Sequence, residues 1–205
     1  MNELTQMTVE QFLDSVAMRT PTPGGGGVTA AAGALACALG RMVGEYSVTS
    51  RTAQSVAEEA RTFVGRLRTV DEMQRALITD DASAYATMTD VAKQQKAGTI
   101  PETDYQRAVT AALAVPMEIA AAGGSALALM DEFKERASRY LLSDLGVAAA
   151  LAEGAVRAAE FTVLVNMKAL TDEAMRMKLT GDIARIVEHA AARSGSVQSY
   201  VRGKL

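Results

Sequence analysis

The chain has 205 residues and a formal net charge of −3 with no basic block, so it is long enough to bury a sizeable core but lacks the cationic face a nucleic-acid partner requires. Nearly half of it (49%) is apolar, yet it carries only five Tyr, four Phe and no Trp, so alanine, leucine and methionine must fill the interior, as in closely packed helices. The single cysteine, Cys37, excludes an intrachain disulfide and reads as a small buried hydrophobe in its Ala/Leu run.

Helical periodicity runs along almost the whole chain, with no strand pattern. Glu3, Glu10 and Asp14 stand where a secretory signal would be basic and then apolar. The most hydrophobic stretch, Val28 to Leu39, is stopped by Arg41 and Glu45 and is too short to span a bilayer. The expectation is a cytoplasmic chain with no membrane partner. Thr8 reads as the N-cap of a short helix to about Met18, with Gln11 completing a capping box.

The run Thr20-Pro-Thr-Pro-Gly-Gly-Gly-Gly-Val28 follows. Pro21 and Pro23 stiffen it, and four glycines permit backbone approaches that a side chain would block. The next segment reads as a helix from Val28 to about Thr49, whose unpaired first N–H groups would face whatever fills the loop, a small anionic or carbonyl-bearing ligand by preference. No Gly-Lys-Ser/Thr follows and no strand precedes, which excludes a Walker loop and a dinucleotide fingerprint. A tight corner between two helices explains the glycines equally well.

Further helices are expected from about Ala53 to Ile78, with Glu58, Glu59, Arg61, Arg66 and Arg68 on its wet side, and from about Asp80 to Gln95. Lys96 to Pro101 is the clearest mid-chain loop. The helix from about Glu102 to Met130 contains Pro116, which removes a backbone donor and should kink it. Ser143 reads as the N-cap of a helix from about Asp144 to Leu170, and Thr171 begins the last one, to about Val201. No linker divides the chain, so residues 1–205 are expected to form one all-α domain. The segments 28–43 and 145–166 are apolar on more than one face. They read as a central pair or a subunit interface, which points to a symmetric homodimer.

Catalytic side chains are scarce. His189 is the sole histidine, which disfavours a His-rich metal site or a Ser-His-Asp triad, and it reads as a solvated helix residue. Asp80-Asp81 reads as a helix beginning, where only one of the two can face a shared pocket. Ser143-Asp144 has the same form. Asn166, between Val163, Leu164, Val165 and Met167, needs partners for its amide, either a ligand or a neighbouring helix.

Together, Pro-Thr-Pro-Gly-Gly-Gly before an Ala-rich helix, Asp81 with Ala84-Tyr85, Val115-Pro116, Ser143-Asp144-Leu145-Gly146-Val147-Ala148 and Val163-Leu164-Val165-Asn166 resemble the formiminotetrahydrofolate cyclodeaminase and methenyltetrahydrofolate cyclohydrolase family over almost the whole chain. The resemblance implies an all-α homodimer with long central helices and a tetrahydrofolate one-carbon unit as substrate. It implies chemistry without a metal or redox cofactor. Asp81 is then the proton-transferring acid, with Asp80 the weaker candidate. Thr22, Pro23, Gly24, Gly25, Gly26 and Gly27 would line the pocket, and Ser143, Asp144 and Asn166 would orient the substrate. The chain departs from the family's usual pattern at three places. A Lys-rich stretch is replaced by Ser47 to Gln54, where only Arg51 is basic. A Gly-Asn pair is replaced by Ala137-Ser138-Arg139-Tyr140. Thr162 stands where an Asn is common. With no formiminotransferase segment in the sequence, the hydrolytic activity is slightly preferred. A paralogue acting on another substrate and a non-catalytic helical binding protein are the alternatives.

Overall fold

Thr8 closes the capping box read from the sequence: its Oγ1 accepts from the Gln11 N–H at 3.2 Å and its own N–H donates to Gln11 Oε1 at 2.9 Å. In the computed structural model, which describes residues 4–49 and 52–205, this starts α1 (Val9–Ala17). The rest is α2 (Gly25–Tyr46), α3 (Gln54–Lys96), α4 (Glu102–Phe133), α5 (Leu142–Asn166) and α6 (Glu173–Arg202), with short 3-10 turns at Leu4–Gln6, Arg139–Leu141 and Met167–Ala169. No strand occurs among the described residues. The expected all-α bundle of long helices is what forms.

The helix boundaries correct the sequence reading in four places. Gly25, Gly26 and Gly27 belong to the first turn of α2, not to the loop before it. α3 is one helix of 43 residues where two were expected. Its buried spacing, Leu67, Val70, Gln74, Leu77 and Ile78, continues in register to Asp81, and the cap-like Asp80-Asp81 pair interrupts nothing. α5 begins at Leu142 after a Leu141 cap that makes no side-chain bond, so Ser143 is a first-turn residue and not the N-cap. α6 is capped by Asp172, whose carboxylate accepts from the Met175 N–H at 3.0 Å, and not by Thr171. The loop before Pro101 is as expected, closed by Gly98 at φ +71° in the left-handed region a glycine tolerates.

α4 lies beneath the other long helices, and α3, α2, α5 and α6 sit around it in that order. α2 and α5 pack directly against each other as the apolar pair the sequence predicts. They run antiparallel: Gly25 lies beside Thr162 at one end, and the Ser138 N–H donates to Ser47 Oγ at 2.9 Å at the other. Leu67 of α3, Leu113, Ile119, Leu127 and Met130 of α4 and Leu145 of α5 are fully buried in the core, each worth about 1.5–3 kcal/mol over exposure. α4 runs unbroken through Pro116, although the carbonyl of Ala112 loses the N–H it would otherwise accept from.

One charged side chain is buried among the described residues. Asp71, 2% exposed, accepts from Arg41 Nη1 at 2.7 Å and from Arg75 Nε at 2.8 Å, so one buried carboxylate joins α2 and α3 through two guanidinium groups. Cys37 is fully buried beside it, and burial pushes its thiol up to about 12. α2 and α4 are each long and apolar enough to cross a membrane, which corrects the shorter reading of α2, but just over half of each apolar window is buried in the fold.

Candidate active site

A helix N-terminus exposes N–H groups that a Ser, Thr, Asp or Asn at the N-cap usually satisfies. α2 starts with Gly24 at that position and has no side-chain cap. The missing acceptor comes from α3: Asp81 Oδ2 accepts from the Gly27 N–H at 2.9 Å. The carboxyl group lies so close that a Cβ on Gly26 would meet Asp81 Oδ1 at 1.9 Å. The glycine run therefore serves the approach of a carboxylate to the helix end. Thr20 Oγ1 braces the preceding turn by donating to the Thr22 carbonyl at 3.2 Å, and Pro23 is buried after a cis Thr22–Pro23 bond.

Asp81 opens onto a cavity of about 400 Å³. α3 contributes Asp81, Ala84, Tyr85 and Met88, which share one helix face by their three- and four-residue spacing. α4 contributes Ala112, and α5 contributes Phe161, Thr162, Val165 and Asn166. Pro21, Thr22, Gly24, Gly25 and Gly26 close the remaining side. Burial raises the Asp81 pKa above the ordinary carboxylate value, and the Gly27 N–H only partly offsets it. No Lys or Arg is among the lining residues.

The structure thus brings together Asp81, Thr22, Gly24, Gly25, Gly26 and Asn166 in the cavity wall, with Gly27 bonded to Asp81 and Pro23 packed beneath it. Asp80 points away and is exposed. Ser143 and Asp144 are not part of this cavity in the single chain. They lie in the first turn of α5 while Asn166 ends it, which at 1.5 Å per residue puts them about 35 Å apart. Met88, Ala112 and Phe161 were not singled out as site residues from the sequence, and Val165 only as part of the Val163-Leu164-Val165-Asn166 run. The i, i+4, i+7 series from Asp81 through Tyr85 to Met88 was a usable signal for the first of them.

Of the three departures from the family pattern, Thr162 lines the cavity. The other two meet at the opposite end of α2 and α5, through the Ser138–Ser47 bond, on the same side as Ser143-Asp144. Arg51 lies outside the described residues. His189 is exposed on α6, as read. A wider groove of about 490 Å³ between α3 and α4 is lined by Glu59, Arg66 and Glu132, whose charges are already paired as Arg66–Glu132 and Arg136–Glu59.

Comparison with known proteins places this geometry. The profile of the family described as formiminotransferase-cyclodeaminase matches residues 8–185. The formimidoyltransferase-cyclodeaminase of Rattus norvegicus is 29% identical over 199 residues, 95% of this chain but 37% of that protein. The chain thus spans little more than a third of that relative. The methenyltetrahydrofolate cyclohydrolase of Methylorubrum extorquens is 27% identical over 97% of both chains. The crystal structure of formiminotetrahydrofolate cyclodeaminase from Thermotoga maritima superposes with a TM-score of 0.89 at 26% identity, covering 98% of each chain. The chain belongs to the formiminotransferase-cyclodeaminase family.

Proposed function

We propose that the cavity binds a tetrahydrofolate carrying a one-carbon unit and that Asp81 moves the protons that make or break its carbon–nitrogen bond. The observation that carries this reading is a half-buried carboxyl with a raised pKa, facing a cavity of about 400 Å³ whose lining offers it no cation. Such a carboxylate complements an amidinium-type carbon, where positive charge is shared between two nitrogens. Binding that cation restores the ionised form of Asp81 and leaves a base beside the reacting carbon.

For hydrolysis, Asp81 takes a proton from a water as its oxygen bonds to the methenyl carbon. A tetrahedral carbon between two nitrogens results. Asp81 then returns the proton to the departing N5 as that carbon–nitrogen bond breaks, the carbinol hydroxyl releases its own proton to solvent as its C=O forms, and the formyl group remains on N10. For cyclodeamination the same carboxyl would protonate the leaving amine after N10 has attacked the formimino carbon. Neither sequence of steps uses a metal or redox cofactor. Of two relatives that this chain matches along nearly their full length, one is named for the hydrolysis and one for the cyclodeamination, and we take the hydrolysis as the first to test. Thr22, the Gly24–Gly26 backbone, Thr162 and Asn166 would hold the pterin in the cavity. Residues 1–205 would act as one domain, in the cytoplasm.

The test is the absorbance loss of methenyltetrahydrofolate, corrected for spontaneous hydrolysis. Acceleration by the wild type, with ammonia-free formation of the 10-formyl compound, is the expected result. No acceleration, together with ammonia release from formiminotetrahydrofolate, would assign cyclodeamination instead. Inertness toward both would overturn the folate reading.

A further inference from the structure

α3 and α4 run antiparallel, and three bonds mark their register. Arg66 Nη1 donates to Glu132 Oε2 at 3.3 Å, Gln74 Nε2 to the Ile119 carbonyl at 3.1 Å, and Gln95 Nε2 to Glu102 Oε2 at 3.1 Å. Two turns along α3 from Gln74 stands Asp81, and two turns back along α4 from Ile119 stands Ala112. The antiparallel register therefore puts Ala112 across from Asp81, with about 8–10 Å between the helix axes. Both residues line the cavity, where Asp81 is the one charged group.

The backbone of Ala112 is unlike that of its neighbours. In an α-helix the carbonyl of one residue accepts from the N–H four residues on. For Ala112 that residue is Pro116, which has no N–H and whose ring pushes the carbonyl aside. Pro116 is buried one turn from Ala112, on the same face of α4, and is not part of the cavity lining. A proline inside a helix is costly where the helix need only be regular. A backbone acceptor left without its internal donor takes one from water or from a ligand.

We infer that the Ala112 carbonyl, freed by Pro116, is a second acceptor at the reacting centre and aims the attacking water. A water has two hydrogens, and Asp81 takes one of them. With the other donated to the Ala112 carbonyl, a lone pair of the water oxygen is turned toward the methenyl carbon. As the C–O bond forms, one proton passes to Asp81 and the second stays on the carbinol hydroxyl, still donated to Ala112. Asp81 returns its proton to N5 as the C–N5 bond breaks, and the hydroxyl proton leaves to solvent as the C=O forms. The carbonyl neither gains nor loses a proton, so it acts by orientation, and its negative end complements the cation. Pro116 is then a positioning residue that works through Ala112. The role in turnover rests on the functional reading above; the freedom of the carbonyl does not.

Pro116→Ala and Pro116→Val separate the two. Each restores an N–H for the Ala112 carbonyl, and valine also fills the space of the ring. Hydrogen exchange of the restored amide at position 116 reads the bond itself. Strong protection is expected in both variants, and an amide that exchanges as fast as an exposed one would show the carbonyl held elsewhere and overturn its freedom. Steady-state kinetics with methenyltetrahydrofolate read the role. In both variants kcat should fall about 10–100-fold, while KM and the acidic limb of the pH–rate curve stay as in the wild type, because Asp81 and the lining are untouched. A Pro116→Val with wild-type turnover beside a slow Pro116→Ala, or losses of kcat that follow losses of melting temperature, would assign Pro116 to packing and overturn its role. So would a rise in KM at constant kcat, which marks a substrate contact alone. A wild type that only deaminates formiminotetrahydrofolate has no attacking water to aim and would also overturn it. A wild type inert toward both folates rejects the functional reading, and the exchange result still decides whether the carbonyl is free.

Discussion

Gly27 of α2 donates its N–H to Asp81 of α3 at 2.9 Å, so the cap of one helix is a side chain from the middle of another. The same carboxyl faces the cavity. Structural and chemical roles therefore meet on one group, and substitutions can separate them.

Asp81→Asn keeps an oxygen that can accept from Gly27 but cannot exchange a proton. Turnover should fall about 10²–10⁴-fold, the usual contribution of a positioned general acid or base, while KM changes little. Steady-state kinetics beside the wild type measure the split. An unchanged rate constant would remove Asp81 from the proton path.

Gly26→Ala should be far more damaging than Gly25→Ala. A Cβ on Gly26 would lie 1.9 Å from Asp81 Oδ1, whereas on Gly25 the nearest group is Thr162 Oγ1 at 4.0 Å. The first change must expel the carboxyl group and costs about 1–3 kcal/mol of stability as well as activity. Denaturant melts of both variants give the comparison, and equal stabilities would contradict the close approach.

The raised Asp81 pKa has a signed consequence. The folded protein holds this proton over a range where the unfolded chain, near 3.8, has already lost it. The stability it contributes is therefore complete below that pH and is lost as pH rises through the folded-state pKa. Asp81→Asn cannot ionise and escapes the loss. Its melting temperature should exceed that of the wild type at pH 7, and the gap should close as pH falls below about 3.8. The acidic limb of the wild-type pH–rate curve should lie above the ordinary carboxylate range for the same reason.

Asp71→Asn tests the interior charge. It would leave Arg41, 27% exposed, and Arg75, 55% exposed, without their anion. Since water still reaches both guanidinium groups, the cost should be about 2–3 kcal/mol, below the 3–5 typical of a fully buried pair. Chemical denaturation measures it, with the cavity geometry and the KM expected to be unaffected.

Much of this was legible in the residues. Thr8 and Gln11 announced their capping box, Lys96 to Pro101 its loop, and Cys37 its burial, because each depends on local chemistry. Asp80-Asp81 misled because a carboxylate that caps another helix looks, in one dimension, like one that begins its own. Ser143 misled similarly: a 3-10 turn at Arg139–Leu141 shifts the helix start and leaves the serine inside it. The cavity was half legible. Its glycines and Asp81 stood out, whereas Phe161 and Val165 look like core residues until the fold shows one face of α5 uncovered.

The 43-residue length of α3 has a mechanical consequence. Its buried residues end at Ile78, and those of α4 begin at Val109, so residues 79–96 and 102–108 project as a two-helix lever. Gln106 ties that lever to the turn before α6, donating to the Ala169 carbonyl at 3.1 Å and accepting from the Thr171 N–H at 3.0 Å. Ala84, Tyr85 and Met88 ride on it, while Asp81 stays anchored at its root by Gly27. Met88 and Tyr105 pack against the core only partly buried, and a lever held by so few buried side chains should open at a fraction of the cost of global unfolding. Its amide hydrogens should exchange well ahead of those around Leu67 and Met130. Ligand contacts made by Ala84, Tyr85 and Met88 should therefore be less rigidly held than the carboxyl at the root of the lever.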